Sequence, residues 1–181
     1  IADHTGWLPD AWVASHHGMA QGGSAADVLF AEAAQKGFEG IDYEKALQYM
    51  LKNYEADSPD PHRRGRRGIA EYRELGYVPA KIKSCLSLTV EFAVQDWAAG
   101  MLARHLGQGE IAATCFERAQ NVWNLWNPEL GALCPRHADG SWVTPYDIAR
   151  PTRPDFWNDP YCYEGTALEW SACIHHDIAG W

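Results

Sequence analysis

Apolar positions along the chain recur mostly at intervals of three and four, the period of an α-helix. Residues 6–23 are too rich in breakers (Gly6, Pro9, Gly18, Gly22, Gly23) for regular structure and read as a long ordered loop. Ser24 then stands where a helix cap is expected, with Asp27 in the position of a capping-box acid, and the apolar run over 28–34 stops at Gly37. A second helix follows, capped by Asp42, with Ala46, Leu47, Met50 and Leu51 on one stripe. A short helix over 69–75 should stop at Gly76. The longest spans 86–106, where Val90, Ala93, Trp97, Met101 and Leu102 repeat at helical spacing up to Gly107, and a partner runs over 111–126 until Asn127 and Pro128 break it. Residues 131–144 read as a small β-hairpin around Asp139 and Gly140. Thr166 and Glu169 form a capping box that starts a last helix at Ala167.

Helix pairs joined by loops, without strand alternation or a sequence repeat, predict a mostly α fold: part of an α/α toroid of the six-hairpin type, with one small β-hairpin. The length of 181 residues suits one domain. The chain opens on Ile1, and Ile174, Ile178 and Trp181 are still adding apolar positions where it stops, so 1–181 is expected to be a single fragment truncated at both ends. No apolar run reaches the roughly 18 residues that span a bilayer, so no membrane partner is expected. A net charge of -9 argues against nucleic acid, and the one basic cluster, Arg63, Arg64, Arg66 and Arg67, reads as a solvated loop. The five cysteines include no Cys-x-x-Cys pair and are expected to be buried thiols, with a Cys162–Cys173 disulfide as the alternative in a secreted parent.

Candidate chemistry centres on Tyr161-Cys-Tyr-Glu-Gly-Thr-Ala-Leu-Glu-Trp170. Glu164 ends an aromatic loop immediately before a helix, with Trp157, Tyr161 and Tyr163 around it. A carboxyl that protonates a glycosidic oxygen has to keep its proton near neutral pH, and burial against aromatic rings achieves that. On spacing alone, the plainer reading of Glu164 as a helix-start carboxylate is favoured. Nine tryptophans and eight tyrosines either fill a core or stack on sugar faces. Glu91 and Asp96 lie five residues apart and off a common helix face; buried pairing is their ordinary reading. Asn121, Asn124 and Asn127 line a groove or cap helix ends, and His175-His176-Asp177, like His16-His17, reads as structural hydrogen bonding rather than a metal site.

The order and spacing of several segments resemble glycoside hydrolase family 92, the calcium-dependent, exo-acting α-mannosidases. They are Gly6-Trp-Leu-Pro9, Gln21-Gly-Gly-Ser-Ala-Ala-Asp27, Gly40-Ile-Asp-Tyr-Glu-Lys-Ala46, Gly76-Tyr-Val-Pro79, Leu88-Thr-Val-Glu-Phe-Ala-Val-Gln-Asp-Trp97, Asp139-Gly-Ser-Trp142 and Tyr163-Glu-Gly165 followed by His176-Asp177. The resemblance implies an α/α toroid preceded by a β-sandwich domain, an inverting mechanism, a mannose-containing glycan as substrate and a secreted or extracytoplasmic location. It makes Glu164 the general acid. Trp7, Trp157, Tyr163, Gly165, Thr166 and Glu169 are the candidate sugar-contacting residues, Thr166 standing where the family usually has Asn or Ser. The family's catalytic base and its calcium ligands fall in stretches absent here, so no metal ligand is assigned to this chain and the fragment alone is expected to be inactive. The alternative is a diverged, non-catalytic helical scaffold or carbohydrate-binding module.

Overall fold

Burial of one long helix organises the molecule. The computed structural model describes residues 2–10, 22–61, 63–150 and 159–180, with the backbone of 12–13 and 16–17. Among these, α1 (Ala2–Thr5), α2 (Ala26–Gln35), α3 (Tyr43–Glu55), α4 (Ile69–Leu75), α5 (Cys85–His105), α6 (Gly109–Ala119) and α7 (Ala167–Ser171) carry most of the regular structure. Helix α5 is apolar around most of its circumference, and α2, α3 and α6 pack against it. The expected single stripe on it is therefore too narrow: Trp97 and Met101 are only part-buried, while Ser87, Thr89, Gln95 and Asp96 are buried. The close approach of α6 depends on Gly100, where a Cβ would stand 2.6 Å from the Phe116 ring.

Local signals set most helix ends. Asp42 Oδ1 accepts the Lys45 N–H at 3.0 Å to cap α3, and Gly76, at φ +73°, ends α4 as the left-handed residue that glycine tolerates best. Helix α6 continues into a 3-10 turn over Gln120–Leu125, so the expected 111–126 helix is shorter in its α part. Ser24 is a correction. Its hydroxyl donates to the Pro9 carbonyl at 3.3 Å, the α2 cap position is Ala25 with no side-chain cap, and Asp27 is fully buried.

The strands are short. β1 (Trp12–Val13) pairs antiparallel with β2 (His16–His17), inside the stretch expected to be loop. β3 (Trp126–Asn127) pairs with β4 (Ala132–Leu133), and the Asn127 side chain accepts the Glu129 and Leu130 N–H groups across their turn. The expected hairpin follows as one bridge, Arg136 to Trp142, with Val143 N–H donating to the Pro135 carbonyl. The Arg136 guanidinium lies over both Tyr77 and Trp142, at 5.3 and 4.6 Å from the ring centroids. The chain is mostly α with a small hairpin, and none of its described helices is long and apolar enough to cross a membrane.

The arginine cluster is the second correction. Arg66 is 1% exposed, and its Nη1 donates to Asp96 Oδ1 at 2.7 Å, its Nε to Gln95 Oε1 at 3.1 Å, and its Nη2 lies 3.9 Å from Asp27 Oδ2. Burial of a guanidinium requires such partners, and two carboxylates and an amide supply them. Arg63 alone is fully in the expected exposed class, while Arg64 and Arg67 are intermediate. All five cysteines are unpaired thiols, four of them buried, and no Cys162–Cys173 bond is present.

Candidate active site

The loop that carries Glu164 is fastened to the N-terminus of α5, whose first turn has no side-chain cap. Backbone carbonyls of the loop take the place of one: Pro160 accepts from Ser84 N–H at 2.8 Å and Tyr161 from Leu86 N–H at 3.0 Å. Buried Asp159 shapes the loop by accepting the Tyr161 and Cys162 N–H groups, each at 2.9 Å. Ser87 Oγ, one turn into the helix, accepts the Tyr163 N–H at 3.1 Å.

Tyr163 is buried and held at three polar atoms. Its N–H is bound by Ser87, its carbonyl accepts the Trp170 indole N–H at 2.8 Å, and its hydroxyl donates to Glu91 Oε1 at 3.3 Å. Its ring meets Trp170 edge to face, with centroids 5.1 Å apart. Glu164 follows directly, exposed, with φ at +55° in the left-handed region that a non-glycine residue adopts only when its surroundings impose it. Those surroundings are fixed Tyr163 before it and the α7 capping box after it. In that box Thr166 Oγ1 accepts the Glu169 N–H at 3.2 Å, and Glu169 Oε2 accepts the Thr166 N–H at 2.7 Å, which holds the Glu169 carboxyl below its ordinary range.

Glu91 differs from both. It is part-buried on α5, and burial first, then the charges of Asp10 and Glu164, pushes its carboxyl up to about 7 against the opposing bond from Tyr163. The same burial, with the Glu91 and Asp10 charges, pushes the Tyr163 phenol up. Gly22 seals the pair. A Cβ there would lie 2.5 Å from Glu91 Cγ and 2.6 Å from the Tyr163 hydroxyl, and the Gly22 carbonyl accepts from Gln95 Nε2, which joins this site to the buried Arg66 cluster.

Of the residues expected to contact sugar, Tyr163, Gly165, Thr166 and Glu169 stand around Glu164. Trp7 is buried against Gly65 and beneath the Lys52 ammonium, 4.5 Å from its ring centroid. Trp157 and Trp181 lie outside the described residues. The burial expected around Glu164 is found at Tyr163 and Glu91 instead. Reading the sequence missed Glu91 and Asp10 as charges acting at Tyr163; the available signal was an acid within the apolar run 86–94, which spacing does not connect to a tyrosine 72 positions later. His176 Nε2 pairs with the Ala119 carbonyl at 3.0 Å, and Asp177 Oδ2 accepts the Trp123 indole N–H at 2.9 Å, the structural role expected of that motif. The arrangement presents one exposed carboxyl on a rigid turn, beside a second that retains its proton to near neutral pH and an aromatic wall.

A family model described as the glycosyl hydrolase family 92 catalytic domain matches residues 1–181. An uncharacterized secreted glycosidase of Arthroderma benhamiae is 30% identical over 161 residues, covering 77% of this chain and 21% of that protein. The structure of a family GH92 inverting mannosidase from Bacteroides thetaiotaomicron superposes with a TM-score of 0.88 at 30% identity, covering 99% of this chain and 23% of that one. A GH92 α-mannosidase from the same organism gives 0.72 at 25% identity over 84% of this chain and 19% of its own. The chain thus spans about a fifth of the length of the relatives it matches.

Proposed function

The chain belongs to the glycosyl hydrolase family 92 catalytic domain, and on that premise we propose that its full-length parent is an inverting α-mannosidase releasing terminal mannose from glycans. The observation that carries this reading is the presentation of Glu164: an exposed carboxyl on a left-handed residue, fixed between Tyr163 and the α7 capping box. In this reading Glu164 is the general acid that gives its proton to the departing glycosidic oxygen. Tyr163, Gly165 and Thr166 border the sugar, and Glu169 offers it the carboxylate oxygen left outside the capping box.

Inversion requires a second carboxylate, roughly 6.5–9.5 Å from the acid, to activate water from the opposite face. We assign it, the calcium ligands and a preceding β-sandwich domain to parts of the parent outside this chain, a secreted or extracytoplasmic protein of which residues 1–181 are a middle piece. Among the described residues, no three His, Cys, Asp or Glu side chains gather as a metal site. The 181-residue chain alone is expected to be inactive.

The test is mannose release from a terminal α-mannoside by the parent, with and without calcium, beside its Glu164→Gln variant. Calcium-dependent release that disappears in the variant supports both the family chemistry and the acid. No release even with calcium would instead favour a non-catalytic helical module.

A further inference from the structure

Ser87 and Glu91 are one turn apart on α5 and grip the two ends of Tyr163, Ser87 at the backbone N–H and Glu91 at the phenol hydroxyl. Ser87 fixes the backbone end, Trp170 packs edge to face on the ring, and the bond to Glu91 fixes the hydroxyl end. The Trp170 indole, bound to the Tyr163 carbonyl, fixes the peptide that leads into Glu164. Because Glu164 is at positive φ, a rotation of that peptide would swing its carboxyl or force it out of the left-handed region. Gly22 lies so close that a Cβ there would collide with both Glu91 and the Tyr163 hydroxyl.

We propose that Glu91 is a positioning residue for the reaction, acting through the Tyr163 hydroxyl to hold Glu164 at the scissile oxygen. This rests on the reading of Glu164 as the acid. Glu91 need not touch substrate. Its acceptor oxygen is used by Tyr163, and the groups facing the pair are Asp10, Glu164, Cys173 and, toward Tyr163, Arg67. An aspartate at 91 would fall short of the phenol, and an apolar residue would leave it unpartnered in a buried setting.

The experiment is steady-state kinetics of the calcium-loaded full-length parent on 4-nitrophenyl α-mannoside, with Tm recorded for every variant. A small misplacement of a catalytic group costs up to about a hundredfold, so Glu91→Leu and Tyr163→Phe should each lower kcat about ten- to a hundredfold while KM stays within about threefold. The double variant should be no slower than the slower single one, because both remove the same bond. Glu91→Gln keeps an acceptor oxygen and should recover a large part of the loss in Glu91→Leu. Tyr163→Phe removes only one oxygen, so it keeps the test decisive if Glu91→Leu fails to fold. A near-wild-type kcat in either apolar variant, losses that multiply in the double variant, or no recovery by Gln would overturn the inference. A Glu164→Gln control separates the two readings: full activity there overturns both, whereas loss there with normal kcat in Tyr163→Phe overturns only the role of Glu91.

Discussion

Replacing Arg66 with Met should destabilise the fold far more than an arginine in a charged loop would suggest. The guanidinium is 1% exposed, bonded to Asp96 at 2.7 Å and to Gln95 at 3.1 Å, 3.9 Å from Asp27, and 5.2 Å from the Phe92 ring centroid. Methionine fills most of the volume but leaves two buried carboxyls without their shared cation. Removing one partner of a buried pair costs about 3–5 kcal/mol. Two groups temper this: Arg118 Nη2 is 3.8 Å from Asp96 Oδ1, and the Tyr72 hydroxyl is 3.5 Å from Asp96 Oδ2. The expected loss at pH 7.5 is therefore about 3 kcal/mol, the lower end of that range. The assay is urea unfolding with the m-value checked for constancy, for Arg66→Met, Asp96→Leu and the double variant. The double variant should lose less than the sum of the two single losses by at least about 1 kcal/mol, because removing both charges leaves neither uncompensated. A loss in Arg66→Met below about 1 kcal/mol, or strict additivity, would refute the claim that this ion cluster is organised around Arg66.

Asp27 makes stability depend on pH in a stated direction. Burial pushes its carboxyl up to about 7 from an ordinary 3.8, so between these values the folded state holds a proton that the unfolded state has released, and stability falls as pH rises through this window, by on the order of 4 kcal/mol at most. Asp27→Asn retains the neutral shape and should flatten the profile; urea midpoints at pH 4.5 and 8 check it, and an Asn variant weaker than wild type at pH 8 would count against the assignment. Thr166→Ala removes one half of the α7 capping box and should cost about 1 kcal/mol, read in the same unfolding assay. Because that box also borders Glu164, kcat of the parent should fall along with stability, whereas a change in stability alone would separate the cap from the site.

Features that depend on neighbours within four residues were legible without a structure. Asp42 caps α3, Thr166 and Glu169 form a box, and Gly76 ends α4, because the donor, the acceptor and the φ requirement all lie within one turn of chain. Ser24 and Asp27 carried the same local signal, and there it failed: tertiary partners outbid it, as Ser24 reached Pro9 and Asp27 turned toward Arg66. Four nearby arginines look alike in sequence, and only the packing of α5 decided that Arg66 would be the buried one. The Tyr163-Glu-Gly165 motif marked Glu164 by resemblance. Its support was invisible, because Glu91 and Tyr163 meet across 72 residues and Gly22 closes over both. Sequence by itself determined the longer helices, the ends set by a cap or glycine within one turn, and the family. The tertiary structure alone decided which polar groups went inside, because a buried charge persists only where distant segments bring it a partner.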